Sequence, residues 1–256
     1  GSIAVDEGRP HFEKIWRAPV PVEKGLSQLQ MMDAAYDGKL KAMWIVGYDV
    51  YLSNANSHRT ADSLKNLELV IVQDMFLNET AKKFGTVFFP AASSFEKDGT
   101  FMNAERRVSL LRKALIPCGN SRSDWEIVCA MAHAVGFGEH FDFHSSEEIW
   151  NEIRKVWTNA AGITYGRLEE HGLQWNCPDE NHPGTEVLHA ESFTKDVRAA
   201  LRRIDYRPTK ETVTEDFPFL LTTGRTLYHF NAGTMTGRTP NIRLRPSDLL
   251  EISSSD

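Results

Sequence analysis

The sequence predicts an α/β fold whose first part is built on parallel β-strands. Two short apolar runs, residues 42–46 and 67–72, are rich in aliphatic side chains and do not alternate between apolar and polar residues. This pattern is typical of strands that are covered on both faces. Residues 57–66, between the two runs, read as a helix. A strand, a helix and a second parallel strand form a crossover unit that is right-handed by strong precedent.

Polar residues follow each of these two predicted strands. Gly47, Tyr48 and Asp49 come after the first strand, and Gln73 and Asp74 end the second. Ligands of open α/β sheets bind beyond the carboxyl ends of the strands. The two aspartates are therefore candidates for gripping the base or ribose of a nucleotide. The alternative is that they form turns or cap helices, as aspartate often does.

The elements on either side of this unit are predicted from composition and spacing. Residues 1–24 are polar and contain three prolines, which indicates an extended arm. Residues 25–38 carry apolar side chains at helical spacing, and residues 76–84 also read as a helix. Residues 86–89 form a third short strand, and residues 158–195 are expected to be irregular because glycine and proline recur there.

Two serines mark the starts of further helices. Ser123 precedes an amphipathic segment that ends at Gly136, and Ser145 precedes a second one. Asp124 lies in the first turn of the earlier helix, where the helix dipole favours a carboxylate. From its position alone, Asp124 could therefore be purely structural.

The polar stretch at residues 90–108 has the composition of a binding loop. It is dense in serine, glycine, asparagine and charge. Asn103, Glu105, Arg106 and Arg107 have the most to offer a ligand or a neighbouring domain. The alternative is a solvated hairpin with charged surface residues.

The last part of the chain is predicted to contain β-structure. Residues 217–222 form an apolar run typical of a strand, and Ile242 and residues 249–252 indicate further short strands. Between them lies a segment rich in glycine and threonine that contains Arg225 and His229. Backbone amides of such a loop, together with an arginine, can hold an anion. The segment is expected to open a β domain that continues beyond the sequence.

Composition excludes several classes of partner. The formal net charge is −6 and no strongly basic block occurs, which argues against nucleic acid. No apolar run approaches the roughly 20 residues needed to cross a bilayer, so membrane insertion is not expected. The three cysteines are far apart and form no paired motif, which predicts a reducing, cytoplasmic location.

Common catalytic and nucleotide-binding motifs are missing from the sequence. It contains no glycine-rich dinucleotide fingerprint after a strand, no phosphate-binding P-loop and no nucleophile elbow. His140 and His144 are four residues apart, but the residues between them read as a loop, so no metal site is predicted there. Function must therefore be inferred from other features.

Six segments, taken in chain order, resemble the molybdopterin oxidoreductase family, and most closely the catalytic subunits of formate dehydrogenases. They read IVGYD, VQDMF, FPAASSFEKDGTFMNAERRV, SDW, HGLQWNCPDENHPGT and LTTGRTLYHFNAGTMTGRT. The resemblance implies a molybdenum or tungsten ion held by two molybdopterin guanine dinucleotides, between α/β domains and a C-terminal β-barrel. It implies oxidation of formate to carbon dioxide, with electrons passed to iron–sulfur centres and electron-transfer subunits as partners.

By this resemblance the chain is a fragment of such an enzyme and packs against the rest of its own chain. The predicted fold is α/β, a Rossmann-like parallel-sheet domain with flanking helices, followed by the start of a C-terminal β-barrel domain. The predicted segments are an extended arm over 1–24, a partial guanine-dinucleotide-binding domain over 25–157, an irregular linker over 158–215 and the start of the barrel over 216–256. The iron–sulfur cluster would lie in an N-terminal part missing from the sequence.

The resemblance also implies a set of cofactor-binding residues. Asp124 would accept hydrogen bonds from the N1–H and amino groups of guanine. Tyr48 stands where the family usually has glutamate, and Asn176 where it usually has proline. No cysteine matches the metal ligand, so no catalytic and no metal-ligating residue is assigned. The implied cofactor-binding residues are Gly47, Tyr48, Asp49, Ser53, Asn54, Gln73, Asp74, Ala91 and Asp124 in the α/β domain, and Thr223, Gly224, Arg225, His229, Thr234, Met235 and Thr236 in the barrel segment.

Two alternatives remain at this point. One is another molybdopterin oxidoreductase, such as a nitrate reductase. The other is a non-catalytic accessory module that binds a nucleotide or carries a cofactor. An ordinary dinucleotide dehydrogenase is disfavoured because its glycine fingerprint is missing.

Overall fold

The computed structural model describes residues 5–190, 193 and 199–254. The chain divides into two compact units, residues 1–188 and 189–256. The division falls inside the segment that the sequence predicts as a linker. Within the part of the chain that the structure describes, no helix is both long and apolar enough to cross a membrane.

A three-stranded parallel sheet forms the centre of the first unit. Its strands are β1 (Ala42–Val46), β2 (Leu69–Asp74) and β3 (Val87–Pro90), in the order β1-β2-β3. Val46, the last residue of β1, lies opposite Gln73 of β2. The predicted parallel pair and its helical crossover are confirmed. Strand β2 extends two residues further than the predicted apolar run, because it includes the polar residues Gln73 and Asp74.

The α-helices described in this unit are α1 (Val5–Trp16), α2 (Gln28–Tyr36), α3 (Val50–Ser53), α4 (Ser57–Lys65), α5 (Glu79–Phe84), α6 (Asp124–Ala134), α7 (Ser146–Val156) and α8 (Tyr165–Leu168).

One face of the sheet carries an apolar core. Ile45 of β1 and Val70 and Val72 of β2 are buried together with Met32 of α2 and Leu64 of α4. Burial of such side chains stabilises the fold by roughly 1.5–3 kcal/mol each relative to exposure. This core fixes the positions of the strands, and with them the positions of the polar residues at the strand ends.

The prediction of an extended arm over residues 1–24 is wrong for residues 5–16, within the described part of that segment. Val5–Trp16 is a helix that contains Pro10. It packs against α7, where the Nε2 atom of His11 lies 2.9 Å from the carbonyl oxygen of Lys155. Tertiary packing can override a local proline signal, which is a weak guide to structure on its own.

A second, antiparallel sheet includes part of residues 90–108. It contains β4 (Gly99–Met102), β5 (Arg107–Leu111) and β6 (Leu173–Gln174). The hairpin itself is formed, as the alternative predicts. The side-chain oxygen of Asn103 accepts hydrogen bonds from the backbone amides of Glu105 and Arg107, at 2.9 and 3.1 Å, and so forms the turn.

Arg106, in the same turn, is not the solvated surface charge that the hairpin alternative predicted. Its guanidinium donates hydrogen bonds to the carbonyl oxygens of Thr185 and Glu186, both at 3.0 Å, and to that of Trp175. Three backbone acceptors from two separate segments thus converge on one side chain. Arg106 therefore joins the hairpin to residues 175–186.

The described residues of the segment 158–195 contain more regular structure than the predicted irregular segment. They contain α8 and β6, and Ile163, Leu168 and Cys177 are buried in a second apolar core with Trp150 of α7. Gly166 lies within α8, and the other glycines and prolines that suggested irregular structure lie outside α8 and β6. A composition signal of this kind identifies turns but not the short elements that the turns connect.

The second unit forms short 3₁₀-helices, Thr236–Arg238 and Pro240–Arg243, and no strand among its described residues. The predicted strands at 217–222, Ile242 and 249–252 are not formed, and the predicted start of a β-barrel is not confirmed. Phe217 is 75% exposed and Leu221 is 80% exposed. An apolar run adopts strand structure only when a partner strand satisfies its backbone, and none is present in the described part of this unit.

Glu96 gives the hairpin region a pH dependence that can be tested. Its carboxylate accepts hydrogen bonds from the backbone amides of Ser93 and Cys118, at 2.8 and 2.9 Å. The bond from Ser93 is the main cause of a pKa lowered below the ordinary 4.5 of that carboxyl. Because the folded pKa is depressed, the stabilisation is complete above the ordinary value and is lost as the pH falls through the lowered pKa.

Replacing Glu96 by glutamine keeps an acceptor oxygen but removes the charge. We expect Glu96→Gln to be less stable than the unchanged chain near neutral pH, and the difference to disappear in acid. Urea unfolding at a series of pH values measures it. Glu170→Gln, at an exposed carboxylate, is the matched control. A difference that stays constant with pH would contradict the assigned pKa direction.

Candidate functional site

The carboxyl ends of β1 and β2 are joined at a glycine. The backbone amide of Gly47 donates a 2.8 Å hydrogen bond to the carbonyl oxygen of Gln73. Gly47 has φ of +61°, in the left-handed region that glycine adopts without a steric penalty. The chain therefore leaves β1 in a sharp turn directly beside the end of β2, and the predicted residues that follow β1 remain at this edge of the sheet.

Gln73 connects the end of β2 to the start of α6. Its side chain is fully buried, and its amide nitrogen donates a 2.8 Å hydrogen bond to Oδ1 of Asp124. Ser123 caps α6 reciprocally with Glu126, as the sequence predicts. Ala91 pairs with Arg122 in an isolated bridge, which holds the segment before α6 against the end of β3. The structure thus brings Gln73, Ala91 and Asp124 to one edge of the sheet.

Lys97 is the residue of this site that sequence reasoning did not single out. Its ammonium group forms an ion pair with Oδ2 of Asp124. The Lys97 side chain is 21% exposed and that of Asp124 is 40% exposed, so the pair is partly shielded from solvent. Lys97 belongs to the polar stretch that was proposed as a binding loop, but no spacing rule marks this lysine among the other charges of the stretch.

One acceptor in this cluster has no partner. Oε1 of Gln73 is buried and, among the described residues, forms no hydrogen bond. Buried polar atoms are nearly always paired, so an unpaired one calls for an explanation such as a missing ligand. The carboxylate of Asp124 has about four acceptor positions, of which Gln73 and Lys97 use two. The cluster therefore offers acceptors to a group that carries neighbouring N–H donors.

Asp49 lies in the same region but is engaged within the fold. It is buried, and its Oδ1 accepts hydrogen bonds from the hydroxyl and the amide of Thr80, at 2.7 and 3.1 Å. Its Oδ2 accepts a third from the amide of Glu79 at 3.1 Å. Asp49 also caps α3 through the amide of Leu52. Asp49 is therefore a helix cap, as the alternative predicts. Its carboxylate also links the end of β1 to the start of α5.

Asp74 is placed in a similar way. Its two oxygens accept hydrogen bonds from the amide of Phe76 and from the side chain of Asn78, at 3.0 and 2.9 Å. Asn78 in turn caps α5. The Asp74 carboxylate therefore forms a turn, as the alternative predicts.

A polar cluster surrounds Tyr48. The side-chain amide of Gln28 donates hydrogen bonds to the Tyr48 hydroxyl at 3.4 Å and to Oδ1 of Asn54 at 3.0 Å. Nδ2 of Asn54 donates to the hydroxyl of Thr60 at 3.2 Å. Ser53 is the last residue of α3, and its backbone amide is bonded to the Asp49 carbonyl. Tyr48 is 38% exposed to solvent.

The remaining predicted residues lie in the second unit. Thr223, Gly224, Arg225 and His229 line an open cavity of about 980 Å³. The two ring nitrogens of His229 lie 3.0 Å from the Thr236 hydroxyl and 2.8 Å from a backbone carbonyl. The described lining does not include Thr234, Met235 or Thr236. The structure therefore brings together four of the seven residues proposed in this segment, and Thr236 supports the histidine.

The described residues contain no group of three or more histidine, cysteine, aspartate or glutamate side chains that could hold a metal ion. The three cysteines are free thiols.

Comparison with known proteins gives the family. Residues 13–134 match the family of molybdopterin oxidoreductases. This part of the chain belongs to that family. It contains all three strands of the parallel sheet, the Lys97–Asp124 pair and Gln73. The family implies a molybdopterin cofactor with molybdenum or tungsten.

Similar proteins come from archaea and bacteria. The F420-dependent formate dehydrogenase subunit alpha of Methanocaldococcus jannaschii is 42% identical over 94% of this chain and 36% of its own length. The assimilatory nitrate reductase catalytic subunit of Bacillus subtilis is 38% identical over 95% of this chain and 36% of its own length. The chain thus spans little more than a third of these relatives.

One solved structure has a weaker likeness. Acetylene hydratase from Pelobacter acetylenicus superposes with a TM-score of 0.49 and 17% identity, over 65% of this chain and 23% of that one. This likeness is too weak to carry an argument.

Proposed function

We propose that this chain supplies part of the guanine dinucleotide site of an enzyme that oxidises formate to carbon dioxide. The observation that carries the proposal is the buried Oε1 of Gln73, which forms no hydrogen bond within the described residues and lies beside the carboxylate of Asp124. It lies at the edge of a parallel sheet where ligands of α/β folds bind. The cofactor would be a bis-molybdopterin guanine dinucleotide.

The donors and acceptors of this cluster suit guanine. Guanine carries adjacent N–H donors at N1 and at its amino group, and Gln73 and Asp124 offer acceptors. Adenine has an acceptor at N1, which would leave one acceptor of the protein without a donor. A site with buried polar groups discriminates strongly against a ligand that leaves them unpaired. Lys97 keeps donors beyond the one used by Asp124 and can meet an oxygen of the base.

The role of the chain in the reaction is to bind and orient. When bound, the molybdenum or tungsten ion of the cofactor supplies the redox chemistry. Gln73, Asp124 and Lys97 hold the nucleotide end of the cofactor and leave little freedom for its position. No residue of this chain is assigned a catalytic role, and the iron–sulfur cluster and electron-transfer subunits would belong to other parts of the enzyme.

A second contact with the cofactor is proposed for the open cavity of the second unit. Thr223, Gly224 and Arg225 offer backbone amides and a guanidinium, which suit phosphate groups.

The cysteines bear on the proposed location of the enzyme. All three are free thiols, which suits the reducing cytoplasm.

Relatives at similar identity include both formate dehydrogenases and a nitrate reductase. This observation keeps nitrate reduction as the second candidate. The test uses the native enzyme that carries this chain, assayed for formate-dependent reduction of a viologen dye and for viologen-dependent nitrate reduction. Acid hydrolysis of the same sample should release guanosine monophosphate. Release of a different nucleotide, or of none, would contradict the guanine assignment, and activity with nitrate alone would favour the second candidate.

A further inference from the structure

A cavity of the first unit, the β3–α6 cavity, lies between the end of β3 and the helix α6. Its volume is about 300 Å³, at the lower end of the roughly 300–1,000 Å³ found for pockets that hold small molecules. Its described lining includes none of Gln73, Lys97 and Asp124, so the cavity is separate from the nucleotide site proposed above. Its apolar lining residues are Phe89, Pro90, Ile127, Ala130, Met131 and Ala134.

The spacing of the lining residues on α6 explains why this wall is apolar. Residues 127, 130, 131 and 134 follow one another by one to three positions and fall on one face of the helix. Ala130 and Ala134 carry only a methyl group, so this face leaves room beside Phe89 that larger side chains would fill. The helix therefore offers a contact area for an apolar group.

The polar part of the lining consists of Asn120 and Arg122, in the segment that leads into α6. The backbone of Arg122 is fixed against the end of β3. Its amide donates a 3.1 Å hydrogen bond to the carbonyl oxygen of Pro90, and its carbonyl oxygen accepts one of 2.8 Å from the amide of Ala92. The segment that carries the Arg122 side chain is thus held at the rim of the cavity.

The guanidinium of Arg122 has neither a hydrogen bond nor an ion pair with any residue that the structure describes. The described lining also contains no aspartate or glutamate. Arginine is always charged, and its fork of N–H donors matches the two oxygens of a carboxylate. A positive charge therefore lies at an apolar cavity, and the described lining supplies no anion for it.

We propose that the β3–α6 cavity binds a small carboxylate with an apolar body. The carboxylate pairs with Arg122 and can accept a further hydrogen bond from the side-chain amide of Asn120. The apolar body lies against Phe89 and Met131, where its removal from water is favourable. This site goes beyond the proposed function, since the ligand is neither the cofactor nor formate, which has no apolar body.

The experiment compares octanoate with 1-octanol, which has a chain of the same length without the charge, in ligand-observed NMR titrations of the full chain. The unchanged chain should bind octanoate about two- to fivefold more tightly, the range of an ion pair that solvent partly screens. Arg122→Gln should remove this preference and leave the affinity for 1-octanol unchanged. Ala130→Leu should weaken the binding of both probes, because the larger side chain fills part of the cavity.

Lys113→Gln is the matched control, because it removes an exposed cation that does not line the cavity. It should leave both affinities unchanged. Equal affinities of the unchanged chain for the two probes, or equal losses for both in Arg122→Gln, would overturn the role of Arg122. Binding of neither probe, or unchanged binding of both by Ala130→Leu, would overturn the cavity as the site.

The native enzyme that carries this chain gives a further comparison. Binding of octanoate to that enzyme, with the same preference over 1-octanol, is the expected result. Binding by the chain and not by the native enzyme would mean that other parts of the enzyme cover the cavity, and would overturn the proposal. Because neither probe resembles a nucleotide, these results leave the proposed function to its own test.

Discussion

Asp124→Ala should weaken the binding of guanosine diphosphate to this chain by about 10- to 100-fold, the range of hydrogen bonds to a charged group. The substitution removes the acceptors proposed for the base. It also leaves the Gln73 amide and the Lys97 ammonium without their partner, so both lose their fixed positions. Calorimetric titration of the variant and the unchanged chain measures the effect.

Two controls separate binding from folding in this experiment. Asp62→Ala removes an exposed carboxylate whose one partner among the described residues is Lys65, so both affinity and stability should stay close to those of the unchanged chain. Urea unfolding of Asp124→Ala reports whether the variant is folded. A folded Asp124→Ala protein with unchanged affinity would show that Asp124 has only a structural role in the first turn of α6 and does not bind the base.

The second large effect is expected for stability. Asp49→Ala should lower the free energy of unfolding by about 3 kcal/mol or more, because buried donors lose their acceptor. Those donors are the hydroxyl and amide of Thr80 and the amide of Glu79. Urea unfolding followed by circular dichroism measures the loss.

The free energy of unfolding of Asp49→Asn should lie between those of Asp49→Ala and the unchanged chain. It keeps one oxygen for Thr80 but places an N–H₂ group in the carboxylate site. The exposed Asp62→Ala change again serves as the control, with an expected effect within about 0.5 kcal/mol. A loss of under about 1 kcal/mol in Asp49→Ala, with a large loss of nucleotide affinity, would instead assign the Asp49 carboxylate to the ligand.

The sequence was a good guide wherever local signals agree with each other. The apolar runs around β1 and β2 and the serine caps of α6 and α7 are confirmed, because burial and capping act over a few neighbouring residues. The N-terminal helix was missed because contacts with α7, distant in sequence, stabilise a segment with a proline in it. The strand at 217–222 was predicted from composition, but a strand also needs a partner.

The candidate site shows the same limit at the level of single side chains. Sequence reasoning chose Asp49 because it follows a predicted strand and Asp124 because of the family resemblance, and could not tell which carboxylate faces inward. The structure separates them, since Asp49 is buried among α5 donors and Asp124 is partly exposed beside Lys97. Lys97 carries no local signal, because its role depends on a partner 27 residues away.

The most direct test of the central claim is a comparison of guanosine diphosphate and adenosine diphosphate as ligands of the unchanged chain. Calorimetric titration gives both affinities under one set of conditions. We predict that guanosine diphosphate binds at least about tenfold more tightly than adenosine diphosphate, because guanine and not adenine can give N–H groups to both Gln73 and Asp124. Equal affinities for the two nucleotides, or no binding of guanosine diphosphate, would contradict it.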